Sequence, residues 1–356
     1  MDLDLFISQS LSLPALQTLP LSLPVEASGL QSFISVSRED LLNIFLPLLY
    51  YSKQHLHVHG GGVEQSRVLI GVCGPAGSGK STMASLLATL GNTLHSEDSH
   101  LFPSRCATVS GDAYHLPNLE LIERNLKSRK GIIETFHATA FANDLDLLKT
   151  NSKCQVYQQP SLPPTGPTLG SRSTWVEIDN DNALWFPSYD RAVTHDPVLR
   201  SVKIETNCRV VFIEHLFIAR GDGKTPSGDF NPLGPDPQSW MRVLSLLDEV
   251  FLLRVPMALC RARCLKRRLV GLIESELDSK LEATAKHYEK NDAKTWREII
   301  EGDISRASIV IEVPLSEEMV ASDKDALQLS PADAINALLR VESSTSFFNR
   351  ATLKRQ

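Results

Sequence analysis

No apolar run in the 356 residues approaches the roughly 18 to 20 residues that crossing a bilayer requires, because Ser, Gln, Pro or a charge interrupts each one. A soluble protein is expected, with no membrane partner. Basic excess is also lacking: 36 Lys and Arg face 42 Asp and Glu, for a net charge of −6. Proteins that coat nucleic acid draw their affinity from a basic face, so that class is excluded and no nucleic-acid partner is expected. The six cysteines, Cys73, Cys106, Cys154, Cys208, Cys260 and Cys264, form no CxxC pair. A disulfide frame and a zinc site are therefore set aside for reduced thiols, with Cys260 and Cys264 as core residues on one helix face. Neither Lys nor Arg stands before Arg38, which removes the charged region of a signal peptide and leaves the cytoplasm as the expected location. There is no internal repeat and no low-complexity excess. What remains is an ordinary globular composition, 42% hydrophobic and 22% charged.

Residues 1–36 alternate Leu with Ser, Pro and Gln, and their prolines forbid a continuous helix, so an extended or partly disordered arm is expected. Ser37 and Asp40 resemble a capping box, and Leu41, Leu42, Ile44, Phe45, Leu48 and Leu49 follow at helical spacing. An N-terminal helix and linker thus occupies 37–65, turning at Gly60, Gly61 and Gly62. His55, His57 and His59 fall in that linker and read as solvated. Apolar, β-branched runs follow at Arg67–Cys73, Ala107–Ser110, Val210–Ile213, Val250–Val255 and Ser308–Val313. Five such runs interleaved with helical text predict an α/β fold over 66–314, a mostly parallel five-stranded sheet with helices on both faces. Two stretches, 151–183 and 220–238, are loops by composition and expected near the site. Residues 315–356 are expected to hold one helix, starting near Pro331, and a polar tail. Trp240 and Leu244 to Leu247 read as helix core.

The most specific signal follows the first strand. Gly74, Pro75, Ala76, Gly77, Ser78, Gly79, Lys80 and Ser81 fit GxxxxGK[ST], and Thr82 continues into a helix. Glycines let backbone N–H groups surround phosphate oxygens, Lys80 reaches the outer phosphates, and Ser81 offers a hydroxyl to Mg²⁺. Nucleotide binding follows, with ATP and Mg²⁺ as expected cofactors. RVVFIEH ends in Glu214, where a carboxylate would assist the metal. SGDAYHLPN delivers Asp112 to the carboxyl edge of the sheet, the position of a base that accepts a hydroxyl proton during phosphoryl transfer. Tyr114 and His115 on the same segment are counted with the acceptor site.

The ordered set GPAGSGKST, GDAYHLPN, RKGIIETF, FPSYDRAVTHDP, FIEHLF, SWMRVLSLLDEVFLLRVP and HYEKND spans about residues 67 to 313. It resembles the uridine kinase, type I pantothenate kinase and phosphoribulokinase group, above all the bacterial and fungal uridine-kinase-like ATP-dependent kinases of unassigned acceptor. The resemblance implies a P-loop kinase with a helical lid and Asp112 as general base. It implies that Tyr189, Asp190 and Arg191 line the acceptor site, with Arg129 and Lys130 facing anionic groups. Arg261, Arg263 and Arg267 match lid arginines that stabilise charge on the transferring phosphoryl group, with Lys80, Arg263 and Arg267 sharing the catalytic role. Asn291 and Asp292 match a pair near the nucleotide.

Three positions depart from that pattern. His215 stands where relatives have Gly after the glutamate, Ala113 where they have Gly after the aspartate, and Thr295 where they often have Asn. The expected activity is transfer of the γ-phosphate of MgATP to a hydroxyl of a sugar, nucleoside or pantothenate-like alcohol. The alternative is a kinase-like nucleotide-binding protein with little transfer, accessory to a fungal specialised-metabolite pathway. Oligomeric state is not written in the sequence.

Overall fold

A computed structural model of the chain describes residues 1–18, 20–27, 30–58, 67–150, 172–191, 193–219, 236–269, 274–297, 304, 306–313 and 351–355. The N-terminal arm is more ordered than its composition suggests. Asp2 caps α1 (Leu3–Ser12), accepting from the Leu5 N–H at 2.8 Å, and α2 (Pro14–Gln17) begins on Pro14, where a missing N–H costs nothing. β1 (Leu21–Ala27) and β2 (Leu30–Val36) then pair as an antiparallel hairpin. Leu21 and Val25 are buried while Ser22 and Pro24 face out, so the Leu/Ser/Pro alternation is the period of a half-buried strand.

The capping box forms as the spacing predicts: the Asp40 N–H donates to Ser37 Oγ at 3.0 Å, and the Ser37 N–H to Asp40 Oδ2 at 3.1 Å. α3 (Arg38–Asp40), a π-turn at Leu41–Phe45 and α4 (Leu46–Val58) follow as consecutive helical segments. The π-turn, in which the Leu46 N–H reaches Leu41 O, directly precedes Pro47, which has no N–H to donate and crowds the carbonyl four residues back. His55 and His57 lie on α4 rather than in a linker, and His55 Nε2 is 2.6 Å from Glu249 Oε2. His59 and the expected glycine turn lie outside the described residues.

The main body continues with β3 (Val68–Cys73), α5 (Lys80–Glu97), β4 (Arg105–Ser110), a 3-10 turn at Gly111–Tyr114, α6 (Asn118–Glu123) and α7 (Ala138–Thr150). Next come β5 (Glu177–Ile178), β6 (Leu184–Asp190), β7 (Asp196–Ile204), β8 (Cys208–Glu214), α8 (Pro237–Leu246) and β9 (Glu249–Arg254). The last elements are α9 (Met257–Leu269), α10 (Glu274–His287), a π-turn at Tyr288–Ala293, β10 (Ile309–Glu312) and β11 (Thr352–Arg355). The central sheet runs β11-β10-β9-β3-β8-β4. The five expected strands are its parallel members, and β11 adds an antiparallel edge. That edge is polar: Lys354 and Arg254 both pair with Glu312, which is why it reads as tail.

Each residue of β3 is buried, and alternate side chains enter different cores. Val68, Ile70 and Val72 pack with α5 and the N-terminal helices, while Leu69 and Cys73 pack with α7 and α8. The described cysteines are buried and form no disulfide, and burial pushes the Cys73 thiol up to about 11. Trp240 and Leu244 lie in the second core.

The loop expected over 151–183 is structured from residue 172 onward. Trp175 and Val176 are buried, and β5, β6 and β7 form a separate antiparallel sheet beside the Gly111–Tyr114 turn. Residues 151–171 lie outside the described set. So do 220–235 and the helix expected near Pro331, whereas Asp236 caps α8 with Pro237 in its first turn. No helix among the described residues is long and apolar enough to cross a membrane.

Candidate active site

The parallel strands deliver three chemical groups to one edge of the sheet. β3 ends in the glycine loop, β8 in Glu214, and β4 in the turn that carries Asp112. Register ties them together, since Glu214 stands opposite Val72 on one side and Ser110 on the other. The buried Glu214 carboxylate accepts a short hydrogen bond from Ser110 Oγ. Sequence reasoning missed Ser110, because nothing but pairing register links it to Glu214.

In the glycine loop the Ser78 N–H closes a turn onto Pro75 O at 3.0 Å, and Lys80 Nζ donates back to Pro75 O at 3.1 Å. Gly77 has φ +84°, and a Cβ there would overlap the Cys260 carbonyl oxygen and lie 3.0 Å from Cys264 Sγ. Only glycine fits beneath α9. α9 thus rests directly on the loop, and Arg263 donates to Ser78 O at 3.4 Å. Ser78 Oγ is buried with no hydrogen-bond partner. An orphaned hydroxyl inside a cradle of glycines at a helix N-terminus fits a phosphate group. For Mg²⁺ the fitting donors are hard oxygens, the Ser81 hydroxyl and the Glu214 carboxylate. Among the described residues no group of three or more His, Cys, Asp or Glu side chains forms a metal cluster.

On the acceptor side, Asp112 is ion-paired with Arg191, whose guanidinium lies 5.2 Å from the centre of the Tyr189 ring. Lys130 sits at the same distance from that ring, donating to His195 O at 2.6 Å and Asn118 Oδ1 at 2.9 Å. Burial lowers the Lys130 ammonium to about 8, despite the opposing charge of Asp196. His115 packs at a tilt against Phe136 and Tyr189, its ring centre 4.0 and 5.1 Å from theirs, and its Nδ1 lies 2.8 Å from Asp112 O. A carbonyl only accepts, so Nδ1 carries the proton. Burial pushes both His115 and His215 well below the usual histidine range.

Asp112, Arg191, Tyr189, His115 and Lys130 therefore gather in one cluster, while Gly74–Thr82, with Lys80, and Glu214 lie on the neighbouring loop and strand ends, with Arg263 reaching the loop from α9. Other expected residues do not join them. Tyr114 is turned into the core, its hydroxyl donating to buried Asp144 at 2.8 Å and its ring stacked on Trp175. Asp190 accepts from the Val193 and Thr194 N–H groups and so caps the turn after β6. Arg129 points outward with an ion pair to Glu134 at 3.5 Å, and Arg267 lies on the exposed face of α9. Arg261 pairs with Glu289 at 3.6 Å. Asn291 donates to Ser128 O at 3.3 Å, and Asp292 lies near Gly131, so this pair sits against the residues on either side of Lys130. Thr295 is buried.

No family model matches the chain. Curated relatives include a pantothenate kinase of Ligilactobacillus salivarius, 29% identical over 136 residues and covering 34% of this chain and 42% of that one. A pantothenate kinase of Levilactobacillus brevis is 32% identical, covering 52% of this chain and 63% of its own. A uridine kinase-like protein of Schizosaccharomyces pombe is 28% identical, covering 60% and 72%. The chain spans less than half the length of the first bacterial pantothenate kinases it matches, 42% and 43%. Among solved structures, a fructose transport system kinase of Silicibacter has a TM-score of 0.50 at 22% identity, covering 75% of this chain and 98% of that one. D-glycerate 3-kinase of Cryptococcus neoformans has a TM-score of 0.50 at 14% identity, covering 74% and 92%. These two likenesses speak to the fold alone. With its parallel sheet and its glycine loop, the chain shares the fold of these solved kinase structures and is similar, over part of its length, to pantothenate kinases and a uridine kinase-like protein.

Proposed function

We propose that the chain transfers the γ-phosphoryl group of MgATP to a hydroxyl of a small metabolite, a sugar, nucleoside or pantothenate-like alcohol. The observation that carries this reading is the carboxylate of Asp112, two strands from the glycine loop on the same sheet edge and ion-paired to Arg191. Backbone N–H groups of the loop and Lys80 would hold the triphosphate. Ser81 and Glu214 would hold Mg²⁺, which when bound offsets charge on the phosphate oxygens. Ser110 fixes the rotamer of Glu214 in advance. Asp112 takes the proton of the acceptor hydroxyl as its oxygen bonds to the γ-phosphorus. The bond from that phosphorus to the bridging oxygen breaks, ADP leaves, and Arg263 stabilises the charge on the transferring group. Closure of α9 and α10 would exclude water, the competing acceptor.

One observation favours the second reading, a nucleotide-binding protein with little transfer: the Arg191 guanidinium occupies the very carboxylate that must take the proton. ADP release measured against a panel of sugars, nucleosides and pantothenate-like alcohols separates the two. Acceptor-stimulated release that Asp112→Asn abolishes supports the kinase. ATP binding without stimulation by any acceptor, unchanged in Asp112→Asn, supports the binding protein. If Glu214→Gln leaves the Mg²⁺ dependence unchanged, Glu214 has no part in holding the ion.

A further inference from the structure

Arg191, at the end of β6, meets Asp112, in the turn after β4, across 79 residues of sequence. Their side chains are 24% and 22% exposed, so a ligand entering from solvent can reach the pair. A guanidinium on a carboxylate occupies lone pairs through which that carboxylate would take a proton. The cations around the pair lean on neutral oxygens. Lys127 and Lys130 both donate to Asn118 Oδ1, so two ammonium groups share one amide oxygen. Lys130 also donates to the His195 carbonyl at 2.6 Å. Asp196 Oδ1 stands 3.8 Å from Lys130 and already accepts the Asn118 N–H at 2.7 Å, while Asp190 caps its own turn. Lys130 Nζ and the Arg191 guanidinium each lie 5.2 Å from the centre of the Tyr189 ring. Two histidines register the charge: burial lowers both His115 and His195, and at each the next cause is Lys130. Like charges gathered on one ring and one amide are a place that an anion stabilises.

We propose that Arg191 shields Asp112 in the empty site, and that the acceptor which lifts the shield is an acid whose carboxylate or phosphate draws Arg191 away, with Lys130 as its second contact. This rests on the kinase reading above and narrows it from alcohols in general to hydroxy acids and phosphorylated alcohols. While Arg191 stays on Asp112, a water molecule beside MgATP meets a base already engaged. Without Arg191, Asp112 would take a proton from that water as its oxygen bonds to the γ-phosphorus. The bond to the bridging oxygen would then break, and ADP and inorganic phosphate would leave with no metabolite phosphorylated. An acidic acceptor ties release of the base to its own arrival.

ADP release is measured without acceptor, and each acceptor that stimulates it is compared with a partner differing in the acidic group. Gluconate against sorbitol tests a carboxylate, and ribose 5-phosphate against ribose a phosphate. The wild-type protein is expected to release little ADP alone and to prefer the acid by about 10- to 100-fold in kcat/KM, the size of one hydrogen bond to a charged group. The pair that shows the preference tells carboxylate from phosphate. Arg191→Gln should raise acceptor-free release about 10-fold or more, and adding Asp112→Asn should abolish the rise. The same variant should lose rate on the acid and gain it on the neutral partner, a crossing that lost packing does not produce. Unchanged acceptor-free release with equal losses on both partners would make Arg191 a packing residue and overturn the proposal. Equal use of acid and neutral partner by the wild-type protein would also overturn it, even if the variant fails to fold, and would leave the kinase reading standing. If ATP binds but no acceptor is used, the kinase reading itself falls and takes this one with it.

Discussion

Asp144 is the buried carboxylate on which the acceptor turn is anchored. It accepts from the Tyr114 hydroxyl, the Thr174 hydroxyl and the Trp175 N–H, and burial raises it to about 6. Its folded value lies above the ordinary 3.8, so the folded state holds the proton more tightly, and the stability it contributes fades as pH rises from about 4 through about 6. The stability of the wild-type protein relative to Asp144→Asn should shrink over that interval, as urea titrations at a series of pH values would record. A pH-independent difference would mean the carboxyl does not titrate there. Tyr114→Phe should cost about 1–2 kcal/mol by removing one buried donor. It should leave the acceptor KM unchanged, and a shift of several-fold would return Tyr114 to the acceptor site. Ser110→Ala frees the Glu214 carboxylate, and the Mg²⁺ concentration for half-maximal turnover should rise about 10-fold or more, as for other outer-shell partners. Of these residues, the placement of Asp112 and Glu214 at strand ends was legible, their roles remaining those of the proposal. Tyr114 was misread, because a motif fixes which residues follow the aspartate and not the way a 3-10 turn aims them. Ser110 and Asp144 act only through partners 104 and 30 residues away, which no local pattern encodes.

The parallel strands of the central sheet were readable because a parallel strand buried on both faces is a continuous apolar run, as VLIGVC is, whereas the polar edge strand β11 was not. The hairpin Leu21–Val36 and the sheet β5-β6-β7 were not, since prolines and polar residues on a solvated face look like loop until a partner strand is known. α4 was legible, but its tie to the sheet was not. Proximity of Glu249 raises the His55 imidazole above 6.5 by a hydrogen bond, with Asp248 adding to the shift and burial and Arg355 opposing it. A raised value means the tie is complete below 6.5 and is lost as pH climbs through the folded value. The melting temperature of His55→Gln should therefore trail the wild type at about pH 5.5 and approach it at about pH 8.5. A gap that stays constant would show that packing, not charge, joins α4 to β9.

At the scale of the molecule, the antiparallel strand Thr352–Arg355 covers an edge that β10 would otherwise expose. Deleting residues 351–356 should lower the melting temperature and promote association through the bared backbone of Ile309–Glu312, detectable by light scattering. A monomeric, equally stable truncation would show that the edge needs no cover. The inner strands behave differently. Val72, Glu214 and Ser110 stand in one row across β3, β8 and β4, and neighbouring strands are about 4.8 Å apart. The backbone ladder therefore acts as a ruler that sets roughly 10 Å, two such steps, between the strand feeding the glycine loop and the strand feeding Asp112. A slip of one residue along either ladder would turn Glu214 to the opposite face. The outlying sheet is thus free to diverge, while under the proposed reaction the gap a migrating phosphorus would cross is held constant by main-chain geometry.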